Sequence, residues 1–267
     1  MGGRHDKPQA MRRCRSTAVP YGQKQSAPGG HEHEETTTSP MNPPHPGRYS
    51  GPQGNLHEEL LRVPFDAVAP WLRVILTGDP TPLGADKLAY SINPHLTALL
   101  VYRTDPGSYS SAVLDRRHAH AWGRNKQDLW FTALGNMAYD RYQEYTVNSG
   151  TDTDVHVVQG IDWAGSAHVM RLPEVMRRPA PHGALVMLPD SNVMVYAVLH
   201  SRRSLPVIPF LYDVFRRLNE NGPVTDQMLW WRGGRVEGMS TRPAEGGGVQ
   251  LRQSPEFNDL VERELPA

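Results

Sequence analysis

The chain has 267 residues, with Lys plus Arg and Asp plus Glu both at 28 and one cysteine, Cys14. Balanced charge supplies no overall field toward DNA, RNA or an anionic membrane, so no nucleic-acid or membrane partner is expected. A lone cysteine excludes a disulfide-stapled scaffold and fits a reducing cytosol, and no apolar stretch approaches the ~20 residues that span a bilayer.

Residues 1–54 read as a disordered tail. Up to residue 55 the chain holds eight Pro, eight Gly and few aliphatic side chains, too little apolar surface to offset the entropy of ordering. Arg12, Arg13 and Arg15 suggest a twin-arginine signal, but Ser16 to Gly30 contain no apolar region, so no export signal is read. The run His31-Glu32-His33-Glu34-Glu35 has metal-binding side chains on a chain that fixes no geometry. Met41, before Asn42-Pro43-Pro44, is a second candidate start of translation.

Residues 55–267 read as one α+β domain, with a subdomain boundary conceivable near Gly150. From Leu56 the pattern predicts helix: Val68, Trp71, Leu72 and Ile75 recur at helical spacing, Asp66 is the N-cap and Gly78 the stop. Ala98 to Tyr102 and Ser111 to Leu114 are strands joined across Asp105-Pro106-Gly107. Asn125 caps a second helix whose stripe is Trp130, Leu134, Met137, Ala138 and Tyr142, ending near Val147. A strand near Asp154 to Gln159 turns at Gly160-Ile161-Asp162 into a short helix from Ser166 that Pro173 disturbs.

Leu185 to Leu188 and Val193 to Leu199 form a hairpin around Pro189-Asp190-Ser191-Asn192. Ser204 caps the clearest helix, which buries Val207, Ile208, Leu211, Val214, Phe215 and Leu218 and ends at Asn221-Gly222-Pro223. Met228 to Arg232 and Arg235 to Met239 are strands about a type I′ turn at Gly233-Gly234. Ser254 and Pro255 open a last helix that buries Phe257, Leu260, Val261 and Leu265. Tight loops join only antiparallel neighbours, so the expected fold is a mostly antiparallel or mixed sheet with packed helices.

No Walker loop, Gly-x-Gly-x-x-Gly, nucleophile elbow or kinase set is present. His57-Glu58-Glu59 lacks the second histidine of a zinc-protease helix, and Gly246-Gly247-Gly248 precedes a strand, not a helix. His118-Ala119-His120 on a strand would present two imidazoles to one ion, but no third ligand is identifiable and Arg116, Arg117 and Arg124 flank it, so no metal or cofactor is predicted. His156 and His168 are isolated. Of Trp230-Trp231, alternation sends one ring to the core and one to the rim. Trp163, Asp190, Asn192 and Arg232 are the predicted binding residues, as exposed aromatic and loop side chains.

The segments Leu99-Leu100-Val101-Tyr102, Ala133-Leu134-Gly135-Asn136-Met137, Val155-His156-Val157-Val158, Ser166-Ala167, Leu188-Pro189-Asp190 and Trp230-Trp231-Arg232-Gly233-Gly234 resemble the uncharacterised bacterial YtpQ-type family, a domain of unknown function. The resemblance covers Ala98 to Glu264 and implies a bacterial cytosolic protein, with no catalytic residue to carry over. The leading expectation is a non-enzymatic protein-binding or adaptor domain, with toxin immunity as one form of it. The alternative is a hydrolase-type enzyme assembled from residues distant in sequence, with His118, His120, His156 or His168 among its acid–base groups.

Overall fold

Pro70 ends the first predicted helix before it can form, because a proline in a helix interior removes a backbone donor and clashes with the preceding turn. In the computed structural model, helices α1 (Gln53–Leu60) and α2 (Phe65–Val68) lead to a 3-10 turn at Ala69–Trp71. The chain leaves that turn extended, as strand β1 (Leu72–Thr77). The structure describes residues 53–78, 84–104, 110–219, 222–244 and 248–267, with side chains from residue 56. The predicted disordered tail, with Cys14, the His31 to Glu35 run and Met41, lies outside the described residues. So do the Asp105-Pro106-Gly107 tip, Asn221, Gly246 and Gly247.

Strands β2 (Ala89–Asn93), β3 (Leu96–Arg103) and β4 (Ser111–Val113) join β1 in an antiparallel sheet centred on β3. Every residue of β3 is buried. The chain then forms α3 (Arg116–Ala121) and α4 (Lys126–Met137). Asn125 Oδ1 accepts the Asp128 amide, as its cap position requires. The helix ends at Met137 and buries Leu129, Ala133 and Met137. The predicted continuation to Val147 is instead strand β5 (Tyr142–Val147). Between the two, Asp140 forms a buried two-bond ion pair with Arg73 of β1, at 2.7 and 3.0 Å.

Strand β6 (Val155–Gly160) is followed by a 3-10 stretch, Gly165–Arg171, and by α5 (Leu172–Met176), where Pro173 occupies the first turn without disturbing it. Strands β7 (Ala184–Asp190) and β8 (Val193–Val198) form the expected hairpin, turning at Ser191-Asn192. Helix α6 (Val207–Leu218) starts after Pro206, and Ser204 belongs to a preceding 3-10 turn that Ser201 caps. Strands β9 (Thr225–Arg232) and β10 (Arg235–Pro243) meet at Gly233 and Gly234, with φ of 56° and 82°. Strand β11 (Val249–Arg252) and α7 (Pro255–Asp259), capped by Ser254, lead to a π-helical turn at Leu260–Glu264.

The second sheet has seven strands in the order β11-β10-β9-β7-β8-β6-β5, all antiparallel. The fold class is therefore α+β with antiparallel sheets. The described residues belong to one compact unit, Pro43–Ala267. β5 and β6 pair directly across Gly150, Val147 opposite Val155.

Both faces of the second sheet are covered at its centre. Val186, Leu188, Met194, Leu229 and Trp231 share an apolar cluster with Leu72, Val74, Leu100 and Tyr102 of the first sheet. On the opposite face Leu185, Met187, Val195 and Trp230 pack with Leu211 and Phe215 of α6 and Phe257 of α7. Alternation does send Trp230 and Trp231 to opposite faces, but both rings are buried, because neither face is solvent.

One close crossing fixes the β6 exit against the β7–β8 turn. A Cβ on Gly160 would run into the Trp163 carbonyl oxygen and lie 2.6 Å from Asn192 Oδ1 and 2.7 Å from the Gly165 amide nitrogen. Gly160→Ala should therefore destabilise the protein by about 3 kcal/mol in urea unfolding. Gly135→Ala, on α4 with open space around it, should stabilise by about 0.5–1 kcal/mol. Equal effects of the two substitutions would contradict this crossing.

Candidate functional site

The inner face of the second sheet outruns its apolar cover at β5, β6 and β8. Tyr142, Glu144 and Thr146 of β5 share that face by alternation, and the register sets Thr146 opposite His156 and His156 opposite Tyr196. Glu144, Thr146, His156 and Tyr196 form the floor of a cleft of about 530 Å³, with Asp152, Asp154, Arg177, Arg178 and His200 on its walls. That volume is in the range of small-molecule sites, ~300–1,000 Å³.

Glu144 is the hub. Its Oε1 accepts the Tyr196 hydroxyl at 2.6 Å and lies 3.0 Å from His156 Nδ1. The His156 ring stacks on Tyr196, with centroids 4.7 Å apart and planes 10° from parallel. Burial, and then the Glu144 carboxylate, push the Tyr196 hydroxyl well above the usual phenol range, so Tyr196 stays a donor. A carboxylate 3.0 Å from Nδ1 favours the tautomer that carries its proton there, with the Thr146 hydroxyl 3.5 Å from the same nitrogen. The lone pair is then on Nε2, and the side chain is about a quarter exposed.

No protein-family model, curated protein or solved structure matches the chain.

Two arginines follow α5 at the cleft wall. Arg177 takes the left-handed backbone conformation, φ 52°, the one such non-glycine among the described residues. It ends α5 by donating its amide to the Pro173 carbonyl, a position where glycine is the unstrained choice. The Tyr142 side chain, and then Glu144, favour the charged form of its guanidinium and raise its pKa. Asp152 accepts the Ser201 hydroxyl at 2.9 Å, which ties the far wall to the start of the 3-10 turn before α6.

The four predicted binding residues do not meet. Trp163 is fully buried and donates Nε1–H to the Val74 carbonyl at 2.7 Å. It is a core residue that joins the two sheets, and the prediction that it lines an exposed surface is corrected. Asp190 accepts the Asn192 amide at 2.6 Å, while the Asn192 side chain bonds Gly165 N and Gly160 O. Their polar groups close the β7–β8 turn. Arg232 pairs with Glu264 and donates to the Pro181 carbonyl. Because Leu188 pairs with Thr225 and Ala184 with Trp231, Asp190 and Arg232 stand at opposite ends of the sheet.

The histidines separate as well. His118-Ala119-His120 is helical, not extended, so residues two apart diverge: His118 is fully buried and His120 is exposed. His168 is buried in the 3-10 stretch beside the Tyr142 ring, and burial holds its pKa down at about 4. Among the histidines of the proposed acid–base set, His156 has both a carboxylate partner and a cleft. Reading β5 as helix hid Glu144, although the alternation Tyr142, Glu144, Thr146 beside a histidine-bearing strand was the available signal.

The strain at Arg177 gives a direct check. Arg177→Gly should raise stability by up to about 1 kcal/mol in denaturant unfolding. Arg177→Ala, which keeps a Cβ in the left-handed region, should gain nothing. Both variants less stable than the parent would mean that contacts of the guanidinium outweigh the strain, and a Gly variant less stable than the Ala variant would contradict the strain itself.

Proposed function

We propose that this protein is an acid–base enzyme, hydrolytic in type, that acts on a small polar substrate in the β5–β6–β8 cleft. The observation that carries the reading is the Glu144 carboxylate, shared by the Tyr196 hydroxyl and His156 Nδ1, with His156 lining the cleft. In this reading His156 takes a proton from a bound water as the water oxygen attacks a carbonyl or phosphoryl centre, and Glu144 stabilises the imidazolium that forms. The imidazolium returns the proton to the leaving group. Arg177 and Arg178 stabilise negative charge developing on the attacked group. Tyr196 holds Glu144 in place and has no proton to spare.

The reading is tested with a panel of carboxylic esters, amides, phosphomonoesters and phosphodiesters. At least one class should be turned over, with a rate that falls about 10²–10⁴-fold in His156→Gln while the fold is retained. Turnover that survives His156→Gln, or its absence across the panel, would overturn the proposal.

The protein-binding reading has one observation in its favour. β5 is the edge of the seven-stranded sheet, and its outer face carries Tyr145 and Val147, 50% and 37% exposed. Exposed strand edges accept an added strand from a partner chain. In that reading the protein is a bacterial cytosolic adaptor of the YtpQ type, and Val147→Pro should release a one-to-one protein partner that Tyr196→Phe retains. Among the described residues, no helix is long and apolar enough to cross a membrane.

A further inference from the structure

Away from the β5–β6–β8 cleft, α1 and α3 bring His57 and His118 together, a pair that lies in two separate sequence motifs. His118 is the third residue of α3 and reaches back to its cap: Nδ1 lies 2.8 Å from Asp115 Oδ1. The Asp115 amide also reaches Nδ1, at 3.2 Å; the shorter contact to the carboxylate favours a proton on Nδ1, which leaves the lone pair on Nε2. His57 of α1 turns its own Nδ1 toward that lone pair, at 3.4 Å. The helix is held there by buried Leu56 and Leu60, and Trp122 donates Nε1–H to the Leu60 carbonyl at 3.0 Å.

Two distances describe how the rings converge. Two nitrogens bound to one tetrahedral ion at ~2.0–2.1 Å are roughly 3.3–3.4 Å apart. Rings so bound have centroids about 3.2 Å from the ion and therefore about 5.2 Å from each other. The nitrogens here are 3.4 Å apart and the ring centroids 5.2 Å apart, with the planes inclined at 55°. An in-line hydrogen bond of the same N–N length would hold the centroids further apart, at about 5.7 Å. Both distances match those of two imidazoles on one tetrahedral ion.

The surroundings are charge-balanced. Lys87 Nζ lies 3.8 Å and Arg117 3.3 Å from Asp115 Oδ2, while Glu58 pairs with Arg117 and Asp86 with Lys87. Lys87 and Arg117 are each paired with carboxylates, and the buried Asp115 carboxylate is the one beside the imidazoles. Asp115, bonded to the ring nitrogen that points away from the other histidine, stands where an outer-shell carboxylate orients a ligating imidazole.

We propose that His57 and His118 are two ligands of a four-coordinate site for a divalent ion of the zinc class. Asp115 fixes the His118 ring, and water completes the coordination. Borderline-soft ions that favour imidazole and tetrahedral geometry fit it, whereas magnesium and calcium, which take oxygen ligands, do not. The site clamps α1 onto α3 and is independent of the β5–β6–β8 cleft.

The test uses the full chain with His5→Ala, His31→Ala, His33→Ala and His45→Ala, which removes the tail histidines as competitors. Zinc titrated by calorimetry should bind at one equivalent and raise the melting temperature, and cobalt should give the intense visible bands of a four-coordinate ion. His57→Ala should lower the affinity at least about 100-fold, and His57→Gln, which keeps a polar group against His118, should do the same. His120→Ala, on the exposed face of the same helix, should bind as the parent does. Zinc binding that is absent in the parent, that persists in both His57 variants, or that gives only six-coordinate cobalt would overturn the proposal.

Discussion

The constraint on which the rest of this structure depends is that the seven-stranded sheet is covered on both faces at its centre but not at its β5 edge. Where cover is complete, strand residues are apolar on both sides: Ala184 to Leu188 alternate between two different apolar clusters without a polar residue among them. Where the first sheet and the 3-10 stretch at Gly165–Arg171 no longer reach, the inner face turns polar. There the Glu144 carboxylate accepts the Tyr196 hydroxyl and lies against His156 Nδ1. The cleft is thus a consequence of the layer geometry, and its chemistry a consequence of how the exposed end of the layer satisfies its polar groups.

The same economy applies at the crossing of Gly160, Gly165 and Asn192. Here the β6 exit, the 3-10 stretch and the β7–β8 turn approach too closely for any side chain, and one asparagine amide serves backbone groups of two of these segments. With Trp163 seated between the sheets, bonded to Val74, this crossing sets the position of the 3-10 stretch and of α5 behind it. Arg177 and Arg178 stand at the end of α5. The wall of the cleft is therefore positioned by packing that lies outside it.

Local signals in the sequence found what is locally determined. Gly233-Gly234, the Asn125 and Ser254 caps and the α6 apolar face are each set by a few neighbouring residues, and each element is present. β1 and β5 were misread because their residues satisfy a helical pattern by coincidence: Val68, Trp71, Leu72 and Ile75 are spaced as a helix face, yet Leu72, Val74, Ile75 and Leu76 are apolar because β1 is covered on both sides, and Arg73 between them is buried against Asp140. The predicted binding surface failed for a related reason. Exposure of Trp163 was inferred from the polar residues around it in sequence, while its burial depends on β1, 89 residues away. The Glu144–His156–Tyr196 group spans three strands and was legible only once β5 was a strand. His57 and His118 are brought together by helix packing that no spacing rule anticipates.

The central claim is that Glu144 sets His156 in the tautomer that leaves Nε2 basic. Nitrogen-15 correlation spectroscopy of the imidazole rings, in the parent and in Glu144→Gln, tests this most directly. The account predicts that His156 of the parent carries its proton on Nδ1 with Nε2 unprotonated, and that the preference weakens in Glu144→Gln. A His156 protonated on Nε2 in the parent, or indifferent to the loss of the Glu144 charge, would contradict it.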